Sequence, residues 1–284
     1  MLASTALFTA MGAVVKLVGE RIHFAEIMFF RSVLALPVVL LIVARAGKKP
    51  KLATQRLPQH MLRALSGTMA MGCAFYALTL LPLTEYTALS FTTPLFITVL
   101  AIPFLGERVG IHRAGAVLAG FGGIIVIALG QGAFQGAIST WVAIGMAVAV
   151  AHGLFSAMTT LLVRSLSSTE SSTTIVMWQS ILMTCITGLV MPFVWVWPTP
   201  GDWALLLMVG LVGGFAQVML TEAYASAQVS SLGAYFYTGI LWAIALGWLI
   251  FGDAPGIATL AGAGLIVLAA LYILHRESRL GVKR

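Results

Sequence analysis

Polar and aromatic side chains recur at helical spacing inside long apolar stretches of this chain. They are the groups placed to do chemistry. His152, Phe155, Ser156 and Thr159 fall at i, i+3, i+4 and i+7 and so share one helix face. An earlier stretch carries a comparable face of Thr5, Phe8, Thr9 and Gly12. Further sets are Thr68, Gly72, Phe75, Tyr76 and Thr79, then Tyr86, Ser90 and Thr93, followed by Pro94. Later come Gln217, Thr221 and Tyr224, then Ser231, Tyr235, Thr238 and Trp242. Rings offer apolar area, while hydroxyl and amide groups offer directional hydrogen bonds. That combination suits a neutral or zwitterionic small molecule with an apolar part. The competing use of such Ser and Thr residues is to bond their own backbone or a neighbouring helix.

Charge inside the apolar stretches is sparse. Arg31 lies about two turns into its segment, with Lys16, Glu26 and Glu85 at similar depth. An ion pair of Arg31 with Glu85 or Glu26 is the preferred expectation, and contact of Arg31 with a substrate carboxylate is the alternative. A cavity for sugar phosphates calls for several deep Arg or Lys residues, and a pump for lipophilic cations calls for a central carboxylate. Neither pattern is read here. The five histidines are scattered, the Gly-rich stretches do not follow a strand, and no nucleophile is paired with a base. No metal, no cofactor and no enzyme activity are expected. Cys73 and Cys185 both fall in apolar segments, so no structural disulfide is expected.

The elements that must hold these groups are membrane helices. Hydrophobic residues make up 60% of the 284 residues and charged residues 9%, with a mean hydropathy of +1.01. A soluble domain carries about 25% charged residues. Ten helices are predicted, over about 2–18, 24–44, 62–81, 83–104, 111–130, 139–163, 173–196, 203–225, 230–251 and 256–274. Each is near the roughly 20 residues needed to cross a bilayer core. Pro82, the Gly- and Gln-rich stretch from Gly130 to Ser139, and Trp197-Pro198-Thr199-Pro200-Gly201 interrupt them. No basic region precedes the first segment, so no cleavable signal peptide is expected.

The basic residues set the orientation. Arg45, Lys48, Lys49, Lys51, Arg56 and Arg63 lie between helices 2 and 3, and Arg108 and Arg113 between helices 4 and 5. Arg164 follows helix 6, and Arg276, Arg279, Lys283 and Arg284 end the chain. With ten helices all of these fall on one side, so both termini are predicted to be cytoplasmic. Their role is topology and contact with lipid headgroups, and the net charge of +7 does not imply nucleic-acid binding. Glycines at Gly115, Gly120, Gly122 and Gly123, at Gly210 and Gly214, and at Gly256, Gly262 and Gly264 mark seams where helices approach closely.

The chain also repeats itself. Leu7-Phe8-Thr9-Ala10-Met11 returns as Leu154-Phe155-Ser156-Ala157-Met158, and the segment from Ile27 to Leu34 returns from Ile175 to Leu182. Five spans per copy place the second copy upside down. The expected fold is therefore an all-α polytopic membrane protein of ten transmembrane helices in two inverted five-helix repeats, residues 1–134 and 135–284.

Phe75-Tyr76-Ala77-Leu78, Pro82-Leu83-Thr84, Pro94-Leu95-Phe96, Leu105-Gly106-Glu107-Arg108 and Gly115 together resemble the EamA-type unit of the drug/metabolite transporter superfamily. Arg31-Ser32 resembles the same pattern. The resemblance covers both halves, the second more divergent: Gly252-Asp253 stands for Gly106-Glu107, and Gln179 for Arg31. It implies a central cavity lined by helices 1, 3, 4, 6, 8 and 9, with helices 5 and 10 peripheral. Within the superfamily the chain is most similar to bacterial exporters of aromatic and other neutral amino acids, which implies alternating access in a bacterial plasma (inner) membrane. On that resemblance Tyr76, Phe155, Tyr235 and Trp242 contact the apolar side chain of the cargo. Thr9, Ser90, Ser156, Gln217 and Thr221 bond its ammonium or carboxylate, and Pro94 lets a helix bend. Efflux of drugs or nucleobase-like compounds is the alternative transport reading. A non-transporting sensor or assembly protein is the alternative of another class, disfavoured because no output module is visible. The expected partners are a small-molecule substrate and membrane lipids, with the driving force and oligomeric state left open.

Overall fold

The computed structural model describes residues 1–45, 53–105, 111–131, 139–226 and 237–279. Every regular element among them is helical. In chain order these are α1 (Leu2–Val18), α2 (Phe24–Arg45), α3 (Leu57–Leu80), α4 (Leu83–Ser90), α5 (Thr93–Leu105) and α6 (Ile111–Gly130). The second half follows as α7 (Thr140–Ser167), α8 (Ser172–Gly188), α9 (Met191–Val194), α10 (Pro200–Ser226), α11 (Gly239–Leu246) and α12 (Ile257–Arg279). α11 runs on into a π-helical turn, Gly247–Phe251, that Gly252 ends at φ +69°, in the left-handed region that favours glycine.

Three elements depart from expectation for local reasons. α3 begins at Leu57 rather than near residue 62, with Pro58 in its first turn, where a missing N–H costs nothing. That start carries Arg63 out of the loop assigned to it and into the bundle, at 0% exposure. The fourth span breaks into α4 and α5 at Phe91-Thr92, because Pro94 cannot donate to the Ser90 carbonyl. Hydroxyls bond carbonyls at the break: Thr93 Oγ1 donates to the freed Ser90 O at 2.8 Å, and Thr92 Oγ1 to Leu89 O at 2.8 Å beside the Thr92 N–H at 3.1 Å. The seventh span likewise ends at Gly188, followed by the short α9. Residues 230–236 of the ninth expected span lie outside the described residues, as does the Gly106-Glu107-Arg108 motif.

Packing between the halves is reciprocal. α1 packs on α10 while its counterpart α7 packs on α3. α2 packs on α10 while its counterpart α8 packs on α3, and α4 meets α7 as α11 meets α1. Each half thus closes the other, the arrangement of two inverted repeats about an axis between them. Close seams make it fit. An added Cβ on Gly214 would stand 3.1 Å from the Ala35 backbone, and Gly210 would meet Leu34. α6 and α12 cross backbone to backbone at the edge of the bundle, where a Cβ on Gly123 would lie 2.6 Å from the Gly262 carbonyl oxygen.

The outer surface is a lipid surface. Leu118 on α6 and Leu268 on α12 are 72% and 67% exposed. Phe24–Arg45, Thr140–Ser167 and Pro200–Ala223 are long and apolar enough to cross a membrane unaided by neighbours, and shorter apolar helices complete the bundle. The chain is an all-α polytopic membrane protein.

Candidate substrate cavity

A cavity of about 240 Å³ lies between the halves. α1 lines it with Phe8 and Thr9, and α3 with Gly67, Ala70, Ala74, Phe75 and Leu78. Tyr86, Ser90 and Phe91 come from the α4 segment, and His152, Ser156 and Thr160 from α7. α2 contributes Arg31, α8 Gln179, and α10 Gln217 and Thr221. The walls combine rings, hydroxyls and amides, and no Asp or Glu lines the cavity among the described residues.

Most hydroxyls are tethered to their own helices. Thr9 Oγ1 donates to Thr5 O at 2.9 Å, Ser90 Oγ to Thr87 O at 2.7 Å, and Thr221 Oγ1 to Gln217 O at 2.8 Å. Donating backward leaves each oxygen's lone pairs free to accept from another group. His152 Nδ1 lies 2.9 Å from the Ala70 carbonyl, which can only accept, so Nδ1 carries a proton. The His152 ring faces Tyr86 at 5.7 Å, and Phe91 meets Tyr237 edge-on at 5.2 Å.

Arg31 is the principal charge on this wall. It is 1% exposed, and its Nη2 donates to Gln217 Oε1 at 3.1 Å and to the Gly213 carbonyl at 3.5 Å. The glycine at 213 makes room, because a Cβ there would stand 3.2 Å from Arg31 Nε. The expected ion pair of Arg31 with Glu85 or Glu26 does not form. Glu85 instead accepts from Gln131 Nε2 at 2.5 Å, and Glu26 accepts from the Val196 backbone N–H at 3.1 Å. The reason is depth along the bundle. α4 starts immediately after the Leu81-Pro82 turn, so Glu85 stays beside the loop ends, where Lys16 reaches Leu81 O at 3.2 Å and Asp253 at 3.4 Å.

The structure brings Thr9, Ser90, Ser156, Gln217 and Thr221 together on the cavity wall, with Arg31 among them. Tyr76, Phe155 and Trp242 are not among its lining residues. Tyr76 packs on Phe24 of α2 at 5.4 Å. One residue turns a helix by roughly 100°, which gives the cavity Phe75 and turns Tyr76 away. On α7 the lining positions His152, Ser156, Thr160 and Val163 leave Phe155 off the face. Trp242 is 44% exposed on the outside of α11, whose cavity residue is Gly239. Tyr235 lies outside the described residues. Pro94 sits in the first turn of α5, just after the break. Sequence reading named Phe75 beside Tyr76 but gave the cargo contact to Tyr76, and it treated Arg63 as a loop residue. The four-three spacing of Gly67, Ala70, Met71, Ala74, Phe75 and Leu78 is the signal that marks the true face of α3.

A two-repeat bundle around a polar and aromatic cavity defines a membrane transporter. The EamA-like transporter family matches the chain twice, over residues 1–129 and 143–275, and the chain belongs to that family. It is 30% identical to the pseudopaline exporter CntI of Pseudomonas aeruginosa over 275 residues, 94% of this chain and 91% of that protein. It is 33% identical to a riboflavin transporter of Rhizobium johnstonii, covering 78% of this chain and 71% of that one. An S-adenosylmethionine uptake transporter of Rickettsia conorii is 28% identical, with 93% and 87% covered. A crystal structure of a protein 18% identical in sequence superposes with a TM-score of 0.69 over 98% of this chain and 97% of that one, a likeness of fold.

Proposed function

We propose that the protein exports amino acids or metabolites derived from them by alternating access. The two halves, residues 1–134 and 135–284, rock about the central cavity with both termini on the cytoplasmic side of a bacterial inner membrane. The observation that carries this reading is Arg31. It reaches a cavity otherwise neutral among the described residues, with Nε and Nη1 unpartnered, beside Gln217 and within a wall of rings. A guanidinium so placed offers charge-assisted N–H···O bonds to a carboxylate. Phe8, Phe75, Tyr86 and Phe91 then receive the apolar part of the cargo.

The export direction takes support from CntI, while the S-adenosylmethionine relative is an uptake transporter, so direction is part of the proposal. A second reading, efflux of flat heteroaromatic compounds, is favoured by the Tyr86–His152 ring pair on the wall. Counterflow in proteoliposomes separates the two. Vesicles loaded with phenylalanine are expected to accumulate labelled phenylalanine, with tryptophan competing and lipophilic cations not competing. Silence with every amino acid, in sealed vesicles that exchange a nucleobase or flavin, would overturn the amino-acid reading.

A further inference from the structure

Two arginines sit inside the bundle without an anion. Arg31 is 1% exposed and Arg63 is 0% exposed. Nε and Nη1 of Arg31 have no partner, and neither has any of the three guanidinium nitrogens of Arg63. The ion pairs among the described residues join Lys16 to Asp253, Arg21 to Asp202 and His60 to Glu170, so neither arginine belongs to one. The wall near them is neutral. Gln179 on α8 lines the cavity, and its Nε2 lies 3.0 Å from where a Cβ on Gly67 would stand. Gly67 is one turn along α3 from Arg63, and Gln179 Oε1 has no partner either.

Buried cations without counter-ions are costly in a membrane protein, and a guanidinium does not shed its proton to escape the cost. Among the described residues no countercharge stands in the wall, and the one that remains is the cargo's. We infer that the cavity is built for a net-anionic, carboxylate-bearing small molecule. Its acid group docks on Arg31 and Gln217, and Arg63, behind Gly67 and Gln179, keeps the local potential positive. The inference rests on the transport reading above and narrows it. A cargo ammonium has no carboxylate to meet among the described lining residues, so it is dispensable, while the carboxylate is not.

The test is a charge series on one skeleton: N-acetylphenylalanine (anion), phenylalanine (zwitterion) and phenylalaninamide (cation), with glutamate against glutamine as a second pair. Binding to the purified full chain is read by ligand-induced thermal shift and by titration of intrinsic tryptophan fluorescence. The expected order is anion, zwitterion, cation, with about tenfold or more between the first and last. Arg31→Gln removes the ranking and Arg31→Lys restores part of it. Because Arg63→Gln can impair folding, Gln179→Glu serves as the second variant. It places a carboxylate beside the arginines and is expected to raise the melting temperature while lowering anion affinity about tenfold. Equal binding of anion and cation, binding of none of the anions, or an unchanged ranking in Gln179→Glu would overturn the inference. Phenylalanine counterflow without a charge ranking would leave the transport reading standing and sink this one. Anion binding without counterflow of any bound compound would do the reverse.

Discussion

The ends of the bundle and its middle treat buried charge in opposite ways. At one end Lys16 reaches Asp253 at 3.4 Å, the Leu81 carbonyl at 3.2 Å and the Phe251 ring at 4.8 Å, while Gln131 donates to Glu85. At the other end His60 Nε2 lies 2.8 Å from Glu170, which also accepts from Thr54, and Arg56 donates to Ser165 O at 2.7 Å. Both clusters join the first half to the second, and each holds an acid–base contact, Lys16 with Asp253 and His60 with Glu170. In the middle, Arg31 and Arg63 have no carboxylate partner among the described residues. Paired charge at the rims is the mark of contacts that hold the halves in register. Unmatched charge beside a cavity is the mark of a site that awaits a ligand.

The comparison is broken most sharply at Arg31. Arg31→Gln is expected to cut counterflow more than about tenfold, over 1.4 kcal/mol, while leaving the melting temperature equal to or above that of the unaltered chain. A large fall in melting temperature would mean that Arg31 is a structural residue like those at the rims. Next comes Phe75→Ala, which removes a ring from the cavity wall. It is expected to raise KM by about tenfold, since an aromatic contact on a bound ligand contributes on the order of 1 kcal/mol or more. At the rim, Asp253→Asn should change stability by about 0.2–1 kcal/mol, because the pair is partly exposed: 20% at Lys16 and 39% at Asp253. KM in that variant should stay unchanged, because the pair lies outside the cavity lining. The smallest effects are expected at Tyr76→Phe and Trp242→Ala. Transport there should stay within about twofold, as for surface changes away from packed or charged sites. A tenfold loss at Trp242 would restore it to the cavity.

Part of the cavity wall was legible in the residues. The faces Thr5-Phe8-Thr9-Gly12 and His152-Phe155-Ser156-Thr159 come from the 3.6-residue period, and all of these residues except Phe155 line the cavity. The period does not say which way a face is turned. Tyr76 and Phe75 are neighbours with nearly equal claims by composition, and only the packing of α3 against α2 sends Tyr76 to Phe24. Trp242 fits the spacing of its segment, yet α11 turns it outward. Arg63 was misplaced because basic residues mark loops on average, and the early start of α3 at Leu57 was hidden by them.

The sequence by itself determined the class of the molecule. Its apolar runs demand helices with internally bonded backbone, its five-span repeat demands inversion, and its EamA pattern names the family. Only the tertiary structure decided the electrostatics of the cavity. Whether a charged side chain is paired depends on which helix faces it across the bundle. That is set by seams such as Gly210, Gly213 and Gly214 against α2, which seat Arg31 beside Gln217 rather than beside Glu85.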